Sequence, residues 1–233
     1  MNIWPLKGLL TRVPATRYPA QAETAPGTTP GRPRAATADT ATICPTRALN
    51  AEGGPVEYTR CIHCFRCVRA EPIAEWIDDH EWGRFAPNRG PLPDAFRRSI
   101  HVRVVDAGDC GACLAELLQL DSPDYSLHRL GITFTPSPRD ADVLLVVGPV
   151  TNALRGPLEA AYRAMPEPKR VVAVGACAAS GGLFGPSFQS NTGAAGTVPT
   201  DLVVPGCPPP PLAVLHGLLA VMGRVFETTE KQK

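Results

Sequence analysis

The stretch Ser99-Ile-His-Val-Arg-Val-Val-Asp-Ala-Gly-Asp-Cys-Gly-Ala-Cys113 decides the fold. Apolar residues stand at 100, 102 and 104, and Val105 prolongs the run, which suits a strand. The run breaks into a small polar loop that ends in two cysteines. The arrangement recurs downstream, where Val171 to Val174 leads into Gly175-Ala-Cys-Ala and Leu202 to Val204 leads into Gly206-Cys-Pro-Pro. Asp142-Val-Leu-Leu-Val-Val147 reads as a continuous buried strand. Helices are expected from Cys113 to Leu120, from Gly156 to Met165 with Pro157 in the first turn, and from Pro211 to Met222, the last amphipathic. Strands alternating with helices mean an α/β domain with a mostly parallel sheet. Ligands of such sheets bind beyond the carboxyl ends of the strands. Cys110, Cys113, Cys177 and Cys207 all fall there, placed to grip one inorganic cofactor, which we read as a [4Fe-4S] cluster.

Composition narrows the function classes. The chain has 233 residues, enough for one large domain plus a small module. A formal net charge of +1 gives no electrostatic footprint for nucleic acid. No apolar run reaches the roughly 18 residues of a membrane span, and the start, Met1-Asn-Ile-Trp-Pro-Leu-Lys-Gly-Leu-Leu10, lacks signal-peptide features. A cytoplasmic chain is expected, and its eight cysteines then read as metal ligands rather than disulfides. Residues 1–20 form a short amphipathic arm, either docked on its own chain or laid on a partner or membrane. Residues 21–40 read as a loop, 71–99 as a short helix and a linker, and 228–233 as a frayed tail.

The first cysteines are Cys44, followed by Pro45, and then Cys61-Ile-His-Cys64-Phe-Arg-Cys67. A C-x2-C-x2-C turn presents three thiolates around one corner of a cubane cluster, and soft thiolates suit iron–sulfur clusters. A zinc site would more often use two separate C-x2-C pairs. The stretch resembles bacterial two-cluster ferredoxins, in which two C-x2-C-x2-C-x3-C-P runs cross-ligate. Cys44-Pro45 matches the end of a first run whose other positions hold Arg34, Thr37 and Thr40. Cys61, Cys64 and Cys67 match the second run, whose fourth position is Glu71. One cluster has lost all four ligands and the other keeps Cys44, Cys61, Cys64 and Cys67. The resemblance therefore implies one [4Fe-4S] cluster in a half-degenerate, ferredoxin-like α+β module. The alternative leaves Cys44 a buried thiol beside a three-iron cluster.

A second resemblance rests on several motifs in order. These are Asp106-x-Gly108-x-Cys110-x2-Cys113-x2-Glu116, the segment Ser137 to Thr151, Val174-Gly-Ala-Cys-Ala178 with Gly181-Gly182, and Val204-Pro-Gly-Cys-Pro-Pro209. From about residue 100 to 222 the chain is similar to [NiFe]-hydrogenase small subunits and to the 20 kDa (B) subunit of respiratory complex I. The resemblance implies a flavodoxin-like sheet and a [4Fe-4S] cluster on Cys110, Cys113, Cys177 and Cys207, the one nearest a catalytic large subunit. It gives Glu116 a role in proton handling; otherwise Glu116 is a solvated or salt-bridged helix residue. The C-x2-C spacing of Cys110 and Cys113 is hydrogenase-like, where the complex I subunit has a tandem pair. Pro5 to Arg12 and Ala15 to Pro19 resemble the ferredoxin subunit of formate hydrogenlyase-type complexes. Ala176 stands where relatives often carry an acidic residue, and the segment Gly193-Ala-Ala-Gly196 is smaller than usual partner-contacting loops.

The expected organisation is an arm and linker over 1–40, a ferredoxin-like module over 41–86 and a hydrogenase small-subunit-like domain over 98–226. The expected function is that of a non-catalytic electron-transfer subunit with two [4Fe-4S] clusters in a membrane-associated oxidoreductase. Its partners would be a hydrogenase-like large subunit and membrane subunits, placing the chain on the inner face of the cell membrane. The alternatives are a complex I-like subunit delivering electrons to quinone, a free-standing carrier, and a structural zinc protein. No nucleophile–base pair is visible, and His63 and His101 read as surface or packing residues.

Overall fold

The computed structural model describes residues 32–33, 35–36, 38–50, 54–70, 76–77, 82–123, 125 and 127–224. The N-terminal arm, most of the following loop, Glu71 and the tail from 225 lie outside the described residues, as do Arg34 and Thr37. The first part of the chain is small. Strand β1 (Arg32–Pro33) pairs antiparallel with β4 (Trp76–Ile77), and β2 (Ala35–Ala36) with β3 (Gly54–Pro55). Helices Ala38–Ile43 and Arg66–Ala70 pack against each other beside them.

A six-stranded sheet forms the rest: β5 (Arg84–Phe85), β6 (Ile100–Asp106), β7 (Ile132–Phe134), β8 (Val143–Val147), β9 (Arg170–Val174) and β10 (Leu202–Val204). Their order is β5-β10-β9-β8-β6-β7, parallel throughout except for the antiparallel edge strand β5. Counted along the chain, the five parallel strands lie in the order 2-1-3-4-5, which is flavodoxin-like. The mostly parallel α/β sheet expected from the sequence is therefore present.

Side-chain alternation sorts the sheet into two cores. Val102, Val143, Leu145, Val147, Val172, Val174, Leu202 and Val204 face helices Ala112–Gln119 and Pro211–Val221. Leu144, Val146, Val171 and Ala173 face the other way, toward Leu158 of helix Asn152–Ala164. Every residue of β8 is buried, as a central strand covered on both faces must be. Among the described residues, no helix is long and apolar enough to cross a membrane.

Several local readings differ from expectation. Residues 32–33, 35–36 and 38–40, read as loop, lie in β1, β2 and helix Ala38–Ile43, and Trp76–Ile77, read as short helix or linker, is a strand. Helix Pro211–Val221 is buried nearly all round rather than amphipathic, because residues 82–92 cover its outer face. Gly83 lies so close that a Cβ there would stand 3.2 Å from Gly217 Cα, and Leu92 N–H donates to the Val221 carbonyl. Those same residues, read as linker, are bound to the sheet: Ala86 N–H donates to Asp201 O, and the Arg170 guanidinium donates to the carbonyls of Gly90 and Pro91, each at 2.8 Å. Helix Asn152–Ala164 starts a turn earlier than Gly156, with Pro157 inside it. Thr151 O receives Leu154 and Arg155 N–H, and the proline removes only the donor that would have served Ala153, which is exposed.

Asp201 closes the β9–β10 edge. Its buried carboxylate accepts Val171 N–H at 2.8 Å and lies 3.5 Å from Arg89 Nε. Asp201→Ala strands that buried N–H. The expected loss is about 2 kcal/mol, and thermal unfolding should show the melting temperature fall by about 4–8 °C.

Candidate functional site

The sheet register brings four loops to one level. Asp106 pairs with Val147, Val147 with Val174, and Val174 with Val204, so a single row of paired residues ends β6, β8, β9 and β10. Cys177 and Cys207 each follow their strand's row residue by three positions, and Cys110 follows by four. Strand order reverses between β6 and β8, and that crevice is where open α/β sheets take ligands.

Two carboxylates shape the first loop. Asp106 Oδ1 accepts the N–H groups of Gly108 (2.9 Å) and Asp109 (2.7 Å). Asp109 Oδ2 accepts those of Gly111 (3.0 Å) and Leu114 (3.1 Å), tying the loop to the helix that carries Cys113. Short polar side chains bond locally in this way and favour turns. Helix Gly175–Ser180 holds Cys177, and Ala176 N–H donates to Gly206 O at 2.7 Å, joining the Cys177 and Cys207 loops. Glycine is required at the join. A Cβ on Gly175 (φ +87°) would lie 2.6 Å from Cys113 Sγ, and one on Gly182 (φ +56°) 2.9 Å from Cys177 Sγ. The backbone thus comes right up to the sulfurs.

All eight cysteines are free thiols. In the second set, Cys113 is buried, Cys177 half-buried, and Cys110 and Cys207 exposed. Burial pushes the Cys113 thiol far up, and the charges of Asp109, Cys177, Cys207 and Cys110 push the same way. Burial raises Cys177 to about 11, helped by Cys207, Cys110 and Asp109. Cys207, exposed as a residue, is raised by partial desolvation of its sulfur and by Cys110 and Asp109. The four thiols are therefore electrostatic neighbours, each opposing the ionisation of another.

The first set is equally close-knit. Cys44, Cys61, Cys64 and Cys67 line one almost wholly apolar cavity with Pro33 and Leu49. His63 (φ +52°) and Phe65 (φ +60°) hold left-handed backbone without being glycine, at a cost in strain. Burial raises Cys61 to about 12, and Cys67, Cys44 and Cys64 add to it. Burial raises Cys67 as well. Burial also works against the Cys44 thiolate, yet hydrogen bonds from the Thr46 hydroxyl and from the backbone of Thr46, Leu49 and Ala48 outweigh it. Ala48 N–H donates to Cys44 Sγ at 3.2 Å, and the pKa of Cys44 falls below the ordinary thiol value.

Among the described residues, no three His, Cys, Asp or Glu side chains converge on one ion. Soft thiols in sets of four, with main chain brought up to the sulfurs at Gly175 and Gly182, suit an iron–sulfur cluster. Glu116 is half-buried one turn beyond Cys113, its carboxylate in no hydrogen bond or ion pair among the described residues. His101 stands at the sheet surface, its Nδ1 3.5 Å from Asp142 Oδ2, and His63 stacks on Trp82. Sequence reading assigned no role to Asp106, Asp109, Ser180 or Trp82. The Asp-x-Gly-Asp pattern carried the turn signal for the first two; nothing local marked the others.

Fold and site together define a flavodoxin-like domain with four neighbouring thiols at its switch point. The family described as NADH ubiquinone oxidoreductase, 20 Kd subunit, matches residues 110–221. Over 128 residues the chain is 40% identical to the Pyrococcus furiosus protein named "Probable membrane-bound hydrogenase subunit mbhJ", covering 55% of this chain and 77% of that one. Over 152 residues it is 40% identical to formate hydrogenlyase subunit 7 of Escherichia coli, covering 65% of this chain and 58% of the relative, so it spans little more than half that relative's length. A chain of the membrane-bound sulfane sulfur reductase, an archaeal respiratory membrane complex, aligns with a TM-score of 0.50 at 31% identity over 55% of this chain and 71% of that one. The chain belongs to the NADH ubiquinone oxidoreductase 20 Kd subunit family.

The thiol environments set an order of reactivity, because the thiolate is the nucleophile. A raised pKa keeps a thiol protonated near neutral pH; a lowered one exposes thiolate. In metal-free chain near neutral pH, Cys44 should be alkylated by iodoacetamide well before Cys61 and Cys113. Raising the pH toward about 10 should narrow the gap, read by mass spectrometry of the labelled peptides.

Proposed function

We propose that the chain is a non-catalytic electron-transfer subunit of a membrane-associated oxidoreductase complex, working between two [4Fe-4S] clusters and a hydrogenase-like large subunit. Cys44, Cys61, Cys64 and Cys67 would hold the first cluster, and Cys110, Cys113, Cys177 and Cys207 the second. The observation that carries the reading is the sorting of all eight cysteines into two sets of four mutually interacting thiols. A cluster bound at each site would supply one-electron redox chemistry, at a potential tuned by charge, hydrogen bonds and exposure.

The chain's own residues would do the tuning. Ala48 N–H at Cys44 Sγ disperses thiolate charge, and the apolar lining of the first cavity keeps water out. Asp109 places negative charge beside the second set. Gly175 and Gly182 let main chain approach the sulfurs. Beside Cys177, the loop from Gly181 exposes Leu183, Phe184 and Phe188, the last 86% accessible. Apolar side chains so exposed favour a protein partner, and this loop would face the large subunit. Membrane attachment would come through the complex, on the inner face of the cell membrane. The division into a four-cysteine module over 41–86 and a large domain over 98–226 belongs to the same reading, with β5 hydrogen-bonded to the large sheet. A complex I-like role with quinone as acceptor draws support from the family description; the C-x2-C spacing of Cys110 and Cys113 favours the hydrogenase-type partner.

Anaerobically purified chain should bind about eight irons with matching sulfide. Cys207→Ser should bring this to about four and remove one of two electron paramagnetic resonance signals. Four irons in the unaltered chain, or zinc in their place, would overturn the two-cluster reading.

A further inference from the structure

The two cysteine sites meet across tertiary contacts that the proposed electron transfer does not by itself call for. The 3-10 turn Tyr58–Arg60, which runs directly into Cys61, packs on helix Gly175–Ser180, which carries Cys177. Ser180 Oγ stands 3.0 Å from Thr59 O and 3.2 Å from Ala176 O in its own helix. One hydroxyl proton can serve only one acceptor fully. Bonding back to Ala176 would satisfy the side chain inside the helix, so its approach to Thr59 is a specific contact between the two parts.

A second contact lies within the cysteine loop itself. The His63 ring, in the loop between Cys61 and Cys64, lies 3.7 Å from the Trp82 ring, centroid to centroid, tilted by 30°. Trp82 is 2% exposed and belongs to the same core as Leu92, Leu202 and Leu218. Its neighbour Gly83 is wedged against Gly217 of the last helix, and Arg84 of β5 stands 5.6 Å from the Tyr58 ring. The turn before Cys61 is thus held by the Cys177 helix, and His63, between Cys61 and Cys64, by the core of the large sheet.

We propose that Ser180 and Trp82 are positioning residues that clamp the four-cysteine module onto the helix of Cys177, so that tertiary contacts and not chain connectivity set the separation of the two sites. The inference rests on the two-cluster reading for its purpose but not for its geometry. Electron transfer between fixed sites needs a fixed separation, and a module tethered only by chain would sample many. The stack holds the His63 ring against the core of the large sheet. The hydroxyl ties the turn before Cys61 to the Cys177 helix.

The test uses the full chain with Ser180→Ala, Ser180→Thr, Trp82→Leu and Trp82→Phe. Amide hydrogen exchange over residues 58–67 reads the clamp with no reference to redox chemistry. Ser180→Ala should speed exchange there several-fold and Trp82→Leu about tenfold or more, with Ser180→Thr and Trp82→Phe close to the unaltered chain. In the doubly reduced chain, magnetic interaction between the two paramagnetic signals should weaken or broaden in the first two variants while both signals and the iron content persist. Unchanged exchange and unchanged interaction in both Ser180→Ala and Trp82→Leu would overturn the clamp. Since Trp82→Leu opens a core, Ser180→Ala decides if the former fails to fold. Fewer than eight irons in the unaltered chain would defeat the two-cluster reading, and the exchange result would still decide the clamp.

Discussion

The parallel ladder joining β6, β8, β9 and β10 is the constraint on which the second cysteine site depends. Because Asp106, Val147, Val174 and Val204 share one row, the loops that follow start at one height and their cysteines need only short reaches to meet. A slip of one residue in any strand would turn its apolar set from one core to the other. The two cores hold that register firmly, since odd and even positions of β8 belong to different clusters of packed residues. Site and core are thus one specification: the same alternation that buries Val143, Leu145 and Val147 on one face delivers Gly148 and the neighbouring loops to the crevice.

Charge is handled differently at the two sites. At the first, N–H donors favour the Cys44 thiolate while Cys61 stays deeply buried. At the second, Asp109 adds negative charge to an already crowded group of sulfurs. Its carboxylate is not free to move away, because Gly111 and Leu114 hold it. Thiols pushed so far toward their neutral form release protons when metal binds, so loading of either site is coupled to pH. Beside the second site the loop from Gly181 exposes Leu183, Phe184 and Phe188.

Residues 82–98 join those halves. They add the antiparallel edge strand, cover the last helix and supply Trp82 to the stack with His63. An antiparallel edge on a parallel sheet is a common way to end it. Here it also carries the module. Buried Asp201 accepts the Val171 N–H of β9, which would otherwise lack an acceptor, and pairs with Arg89 just past β5.

The sequence by itself determined the parallel α/β domain and its strands at 100–106, 143–147, 170–174 and 202–204. It could do so because these signals are local: β-branched runs and glycine-bounded loops each act within a few residues. It did not reveal β7, the early start of helix Asn152–Ala164, or the burial of helix Pro211–Val221, where short or mixed patterns are settled by what packs outside them. Nor could it reveal that Trp82 stacks on His63 or that Ser180 reaches Thr59, 121 positions away in the chain. A serine near a helix end and a tryptophan in a polar stretch are ordinary in sequence. Only tertiary structure gave them partners, because contacts between residues far apart in the chain depend on the register of the whole sheet and leave no local periodic trace.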